Sequence, residues 1–193
     1  MYAVPLAEDA ELRPLEPWQA EEFLAHMDRA RANTDPWIPW ARRSVDLESA
    51  RATLQGYADR QAAGGGRIFG IRLGGVLVGG VMFVSFDAAA GVCEIGAWTE
   101  KQGEGRGLVS AAVRCLIDYA LVERGLHRVE WWNGAHNARS RAVALRMGMH
   151  LDGVMREHFL NDGVRQDMEV WSVLAHEWRG GPAGPEGDAA KSG

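Results

Sequence analysis

The stretch that most limits what this chain can become is EIGAWTEKQGEGRGLVSAAVRCLIDYA, residues 94 to 120. A short β-rich run leads into glycines at 103, 105 and 107, and the chain then turns at once into a helical pattern. Leu108, Ala112, Leu116 and Leu121 share one side of that helix, while Ser110, Arg114 and Asp118 form a polar row on the other. Strand, glycine turn and helix N-terminus in direct succession make an anion site. The glycines let backbone N–H groups converge, and the partial positive charge of the helix end favours phosphate. It is no Walker loop, because GxxxxGK[ST] is absent, and no dinucleotide fingerprint, because the third glycine comes one residue early. Taken alone, the glycines also fit a mobile connector.

The rest of the chain reads as short elements around this unit. AELRPLE predicts a strand, and EPWQAEEFLAHMDRARAN predicts a helix with Trp18, Phe23, Leu24 and Met27 as its stripe. TDPWIPWARRS is broken by two prolines. Asp46 is an N-cap for LESARATLQGYADRQAA, a helix that the glycines at 64 to 66 end. RIFGIRLGGVLVGGVMFVSF predicts a hairpin about Gly74-Gly75, followed by the strand VCEIGAWT. After the helix from Leu108 to about Arg124 come the strand HRVEWWN, a short helix capped by Asn137 and ended by Gly148, and a closing pair about Asn161-Asp162-Gly163. The order β-α-α-β-β-β-α-β-α-β-β predicts an α/β (α+β) fold. Its mixed, mostly antiparallel sheet has about six to seven strands and helices on both faces. Residues 1–178 are expected as one domain and 179–193 as a disordered tail, because RGGPAGPEGDAAKSG has no apolar residue larger than alanine.

Composition removes several classes of function. A net charge of -5 provides no global positive field, so nucleic acid is not expected as the main partner, nor is an anionic membrane. No apolar run approaches the roughly 20 residues of a membrane span, and acidic Glu8, Asp9 and Glu11 stand where a signal peptide would carry basic residues. A cytoplasmic protein is expected. The six histidines and two cysteines lack metal-ligand spacing, so no metal is expected, and Cys93 and Cys115 read as small core residues.

EIGAWTEKQGEGRGLVSAAVRCLIDYA, taken with HRVEWWNGAHNARSRAVALRMGMHLDG, resembles the GNAT superfamily of acetyl-CoA-dependent N-acetyltransferases, and within it the RimJ/RimL branch. The resemblance is strongest over residues 94 to 174, with looser agreement in NTDPWIPW and GGVLVGGVMF. It implies the GNAT fold, acetyl-CoA as cofactor and an amine acceptor, either a protein N-terminal α-amine or a small-molecule amine. A catalytically silent acyl-CoA-binding module stays open as a third reading, and a homodimer is compatible with any of them. The superfamily motif [Q/R]-x-x-G-x-[G/A], matched without gaps, falls on Glu104, Gly105, Arg106, Gly107, Leu108 and Val109. Glu104 thus replaces the usual Gln or Arg and Val109 a small residue, and Arg106 is expected to offset the carboxylate.

The same match assigns backbone contacts with pantetheine to Ala97, Trp98 and Thr99, and phosphate contacts to Gly105, Arg106, Gly107, Leu108, Val109 and Ser110. Asn137 and Ser140 fall beside the thioester, Ser140 as a donor to the leaving sulfur, while Asn137 also reads as a plain helix N-cap. Acetyl transfer needs a neutral amine and hence a proton acceptor, for which Glu94 and Glu157 are the candidates. Either carboxylate also reads as an ordinary partner for an arginine. Trp37, Trp40 and Trp132 are expected to wall the acceptor groove, although large aromatics in loops also serve as packing. Arg139, Arg141 and Arg146 give the last helix a basic face suited either to solvent or to the cofactor's 3'-phosphate.

Overall fold

The computed structural model describes residues 3–38, 41–161 and 163–180. Two strands, β1 (Val4–Ala7) and β2 (Ala10–Pro14), precede helices α1 (Ala20–Thr34) and α2 (Leu47–Ala62). β3 (Ile68–Leu73), β4 (Val76–Asp87) and β5 (Val92–Thr99) follow as an antiparallel meander. Then come α3 (Leu108–Asp118), β6 (Arg128–Gly134), α4 (Ala138–Arg146), β7 (His150–Asn161) and β8 (Val164–Leu174). They build an eight-stranded sheet of order β1-β2-β3-β4-β5-β6-β8-β7 in which only the β5–β6 pair is parallel.

The fold class agrees with the sequence reading, with one strand more than expected. β1 is only four residues long and contains Pro5, which an edge strand tolerates because its outer side needs no ladder hydrogen bond. So short a run carries little periodic signal. Local chemistry explains the expected boundaries. Asp46 Oδ1 accepts from Ser49 N at 2.8 Å at the start of α2. Gly74 and Gly75 both take positive φ (56° and 84°) in the two-residue turn between β3 and β4.

Helices cover both faces of the sheet. On one face α3 buries Leu108, Ala112, Val113, Leu116 and Ile117 against Phe69, Val81, Ile95 and Trp131. Each fully buried leucine or isoleucine there contributes about 1.5–3 kcal/mol. On the other face α1 and α2 bury Phe23, Met27 and Leu54 against Ile68, Met82 and Trp98. β4 lies between the two layers, so its central residues are buried on either side. Cys93 is buried in the α3-side core, where loss of hydration pushes its thiol up to about 12, and Cys115 is half-buried. Among the described residues no helix is long and apolar enough to cross a membrane.

A buried polar chain ties α1 to the end of β5. Trp98 Nε1 donates to His26 Nε2 at 2.9 Å, so His26 carries its proton on Nδ1 and donates to Glu100 Oε2 at 3.1 Å. Burial lowers the His26 pKa to about 4 and keeps the ring neutral. Arg29 adds a second donor to Glu100 at 2.8 Å.

Candidate active site

The site is organised by the point where β5 and β6 part. Their parallel ladder runs from Val92–Arg128 to Ile95–Trp131 and stops there. β5 continues alone against β4 as far as Thr99, and β6 continues alone against β8 as far as Gly134. From residue 96 onward, the edge of β5 that faces β6 has no strand partner among the described residues. A cavity of about 1070 Å3 passes through this notch and opens toward both helical layers.

On the α3–α4 side the cavity is bounded by the glycine loop. Gly105 (φ 74°) and Gly107 (φ 73°) lie in the left-handed region, and Gly107 is the residue from which α3 starts. Ala111 N is the first to bond within the helix, to the Gly107 carbonyl at 3.0 Å. Among the described residues, the six backbone N–H groups of 105 to 110 meet no acceptor. Gly103 has a different reason to be glycine: a Cβ there would lie 2.5 Å from Thr99 Oγ1.

α4 forms the facing wall. Asn137 Oδ1 accepts from Ser140 N at 3.1 Å as the N-cap, and Trp131 Nε1 donates to Ser140 Oγ at 2.9 Å. With its oxygen held by the indole, the Ser140 hydroxyl proton is available to a group in the cavity. Arg139 pairs with Glu104 across the cavity mouth, and Arg146 donates to Ser110 Oγ at 2.8 Å. Arg141 does not belong to this basic surface. It is bonded to Glu169, whose carboxyl burial alone would raise but which donors from Arg141, Asn133 and Trp171 hold below the usual range. Asn133, absent from the sequence-based set, lines the cavity with its Nδ2 committed to Gly134 O and Glu169. In sequence it is only an alternate residue of a strand.

Opposite, beneath α1 and α2, lies the second half of the cavity. Glu94, Trp37 and Trp132 line it together with Tyr57, Met82, Val84 and Phe159. Burial, and after it the neighbouring Glu130, raises the Glu94 pKa to about 7. No described residue donates to its carboxylate, in contrast to Glu130, which binds Arg128 Nε at 2.7 Å and Trp132 Nε1 at 3.0 Å. The adjacent tryptophans separate as strand alternation requires: Trp131 is buried under the α3–α4 layer and Trp132 faces the Glu94 side.

The structure thus gathers Glu94, Ala97, Trp98, Thr99, Gly105, Gly107, Leu108, Val109, Ser110, Asn137, Ser140, Trp37 and Trp132 around one cavity. Two expected side chains stand apart from it. Arg106, between two positive-φ glycines, turns outward to Asp9 at 3.3 Å, so Glu104 is offset by Arg139 and by Asn33 (2.8 Å) rather than by Arg106. Glu157 is exposed on a bulge of β7 and is not among the cavity's walls. Its backbone holds φ 52° while its N–H donates to Asp167 Oδ1 at 2.8 Å. Trp40 lies outside the described residues.

A sheet parted at one parallel pair, with acceptor-free amides on one side of the gap and, among the described residues, a carboxylate without donors on the other, is a site suited to moving a group from a diphosphate-bearing carrier to a protonated nucleophile. Residues 10–150 match the family model of the acetyltransferase (GNAT) domain, and the chain belongs to that family. It is 30% identical over 185 residues to the "Putative ribosomal N-acetyltransferase YdaF" of Bacillus subtilis (strain 168), covering 93% of this chain and 99% of that one. It is also 30% identical over 126 residues to the ribosomal-protein-serine acetyltransferase of Escherichia coli (strain K12), covering 65% of this chain and 70% of the other. Among solved structures, RimL, a ribosomal L7/L12 alpha-N-protein acetyltransferase in complex with coenzyme A, superposes with a TM-score of 0.84 at 19% identity, over 89% of this chain and 97% of that one. The chain is an acetyl-transferring enzyme that uses acetyl-CoA. Its residues fit that molecule: six amides without acceptors suit a diphosphate, and an unpartnered strand edge suits an amide-bearing arm.

Proposed function

We propose that the chain acetylates the N-terminal α-amine of a protein, with a ribosomal protein as the favoured acceptor and the cytoplasm as its setting. Relatives named for ribosomal proteins support this acceptor class. The observation that carries the reading is the continuity of one cavity from the acceptor-free amides of 105 to 110, through the β5–β6 notch, to Glu94.

The amides of Gly105 to Ser110, with Arg139 and Arg146, would hold the phosphates, and the edge of Ala97, Trp98 and Thr99 would hold the pantetheine arm. Acetyl-CoA, when bound, supplies the acyl group as an activated thioester. Glu94 acts as the general base. With a pKa of about 7 it is ionised near neutral pH and still basic enough to take a proton from an α-ammonium group of pKa ~8. A lysine at ~10.4 is a poorer match, and this difference favours the α-amine. Ser140, its oxygen fixed by Trp131, would donate a hydrogen bond to the departing thiolate while keeping its own proton. Asn137 positions Ser140 by capping the helix that carries it. Trp37 and Trp132 wall the acceptor side.

The test is release of free thiol from acetyl-CoA with a panel of amines. Peptides with a free N-terminus should react, and the same peptides blocked at the N-terminus but carrying an internal lysine should not. Turnover of lysine side chains or small amines alone would overturn the acceptor assignment, and binding of acetyl-CoA without thiol release from any amine would overturn the catalytic role of Glu94.

A further inference from the structure

The acceptor half of the cavity contains a hollow whose chemistry narrows the substrate, an inference that rests on the α-amine reading above. Gly96 is the first β5 residue beyond the last rung of the β5–β6 ladder, on the same face as Glu94 and about 7 Å along the strand from it. Where its side chain would stand there is instead a recess. A Cβ built at Gly96 would lie 3.4 Å from Val84 Cγ2 and 3.7 Å from Met82 Cε, ordinary contact distances, so the space directly over Gly96 takes a methyl-sized group and opens into the cavity that these three residues line.

The walls of this recess are mainly apolar, and they offer no side-chain hydroxyl proton. Met82 pairs with Gly96 across the β4–β5 ladder, and the Tyr57 hydroxyl is committed to Met82 Sδ at 2.9 Å. Trp132 and Phe159 line the same cavity. Two carboxylates, Glu94 and Glu130, are cross-strand neighbours at the near end. An α-amine held at Glu94 has its own side chain one bond from the α-carbon, within reach of the recess. A polar side chain entering there would exchange water for mainly apolar walls, and an acidic one would also meet like charge.

We infer that the hollow at Gly96 receives the side chain of the acceptor's first residue, and that the enzyme selects N-termini beginning with an apolar residue such as alanine, valine or methionine. Selectivity arises from apolar contact with Met82 and Val84, and its upper size limit from the missing side chain of Gly96. Serine-first peptides are accepted less well and aspartate-first peptides least.

The experiment compares kcat/KM for peptides identical except at the first residue, in the wild type and in Gly96→Val and Val84→Thr. In the wild type, alanine-, valine- or methionine-first peptides should exceed the aspartate-first peptide by tenfold or more, the scale on which a pocket discriminates by one or two groups. Gly96→Val should cut the methionine-first rate roughly tenfold relative to the glycine-first rate in the same preparation, a ratio that loss of folded protein or of cofactor binding cannot mimic. Val84→Thr should narrow the valine-to-serine ratio. Equal rates for all first residues, or an unchanged methionine-to-glycine ratio in Gly96→Val, would overturn the inference while leaving α-amine acetylation intact. Failure of every free N-terminus to react would instead sink the reading beneath it.

Discussion

Glu94 and Glu130 stand directly opposite each other on the parallel β5–β6 pair, and among the described residues side-chain donors reach only the Glu130 carboxylate. Arg128 and Trp132 stabilise the Glu130 charge, so the Glu94 carboxyl bears the repulsion in addition to its burial. Burial is the larger cause of the Glu94 pKa of about 7, and repulsion from Glu130 adds to it. The wild-type rate should therefore rise with pH in two steps, one near 7 from Glu94 and one near ~8 from the acceptor amine. Glu94→Gln should remove the first step and lower kcat/KM by about 10²- to 10⁴-fold. Stability supplies an independent reading. The folded carboxyl holds its proton to higher pH than the unfolded one, so wild-type stability falls between about 4.5 and about 7 and is level above. Glu94→Gln lacks that fall. Its Tm should match the wild type near pH 4 and exceed it by a few degrees at pH 8.

Much of this was legible in the chain, for identifiable reasons. The loop at Gly105 and Gly107 was readable because positive φ demands glycine, and the helix behind it because Leu108, Ala112 and Leu116 repeat at helical spacing. Asp46 and Asn137 were readable because caps act over three residues. Hidden from sequence were contacts between distant segments. Nothing local shows that Glu104 meets Arg139 and Asn33 while Arg106 turns to Asp9. Glu94 and Glu157 look equivalent until the sheet sets one inside the notch and the other on a bulge. Likewise the role of Gly96 depends on Met82 and Val84, which only the β4–β5 pairing brings beside it.

That bulge yields a second expectation. Between Met155 and Phe159 the register of β7 slips against β8, and Glu157 absorbs the slip at φ 52°. A residue with a Cβ is strained by about 1–2 kcal/mol in this conformation. Glu157→Gly should therefore raise Tm, by up to a few degrees, and leave kcat and its pH profile unchanged because the carboxylate is not among the cavity's walls. A large fall in kcat with unaltered Tm would return Glu157 to the list of bases.

The loop makes the opposite case. A Cβ at Gly107 meets nothing within 4 Å, so any effect of Gly107→Val comes from the backbone, which a β-branched residue cannot hold at φ 73°. Relaxing that angle turns the following amides away from their common focus. Binding of coenzyme A, measured by calorimetry, should weaken at least tenfold while the far-ultraviolet circular dichroism stays that of the wild type. Undiminished affinity would contradict the assignment of residues 105 to 110 to the diphosphate.

Glu104 is the final case, because a carboxylate beside a phosphate site is unfavourable unless something holds its charge. Arg139 and Asn33 both donate to Glu104 Oε1, the first from α4 and the second from α1. Arg139 is exposed and lines the cavity mouth, so a cofactor phosphate would compete with Glu104 for it. Glu104→Gln keeps the Asn33 contact, removes the competing charge and should tighten coenzyme A binding several-fold at low salt. Arg139→Gln should weaken binding, and the gain from Glu104→Gln should shrink as salt is raised, because screening acts on exposed charges. If Glu104→Gln binds more weakly than the wild type at every ionic strength, Glu104 holds the loop in shape and does not compete with phosphate for Arg139.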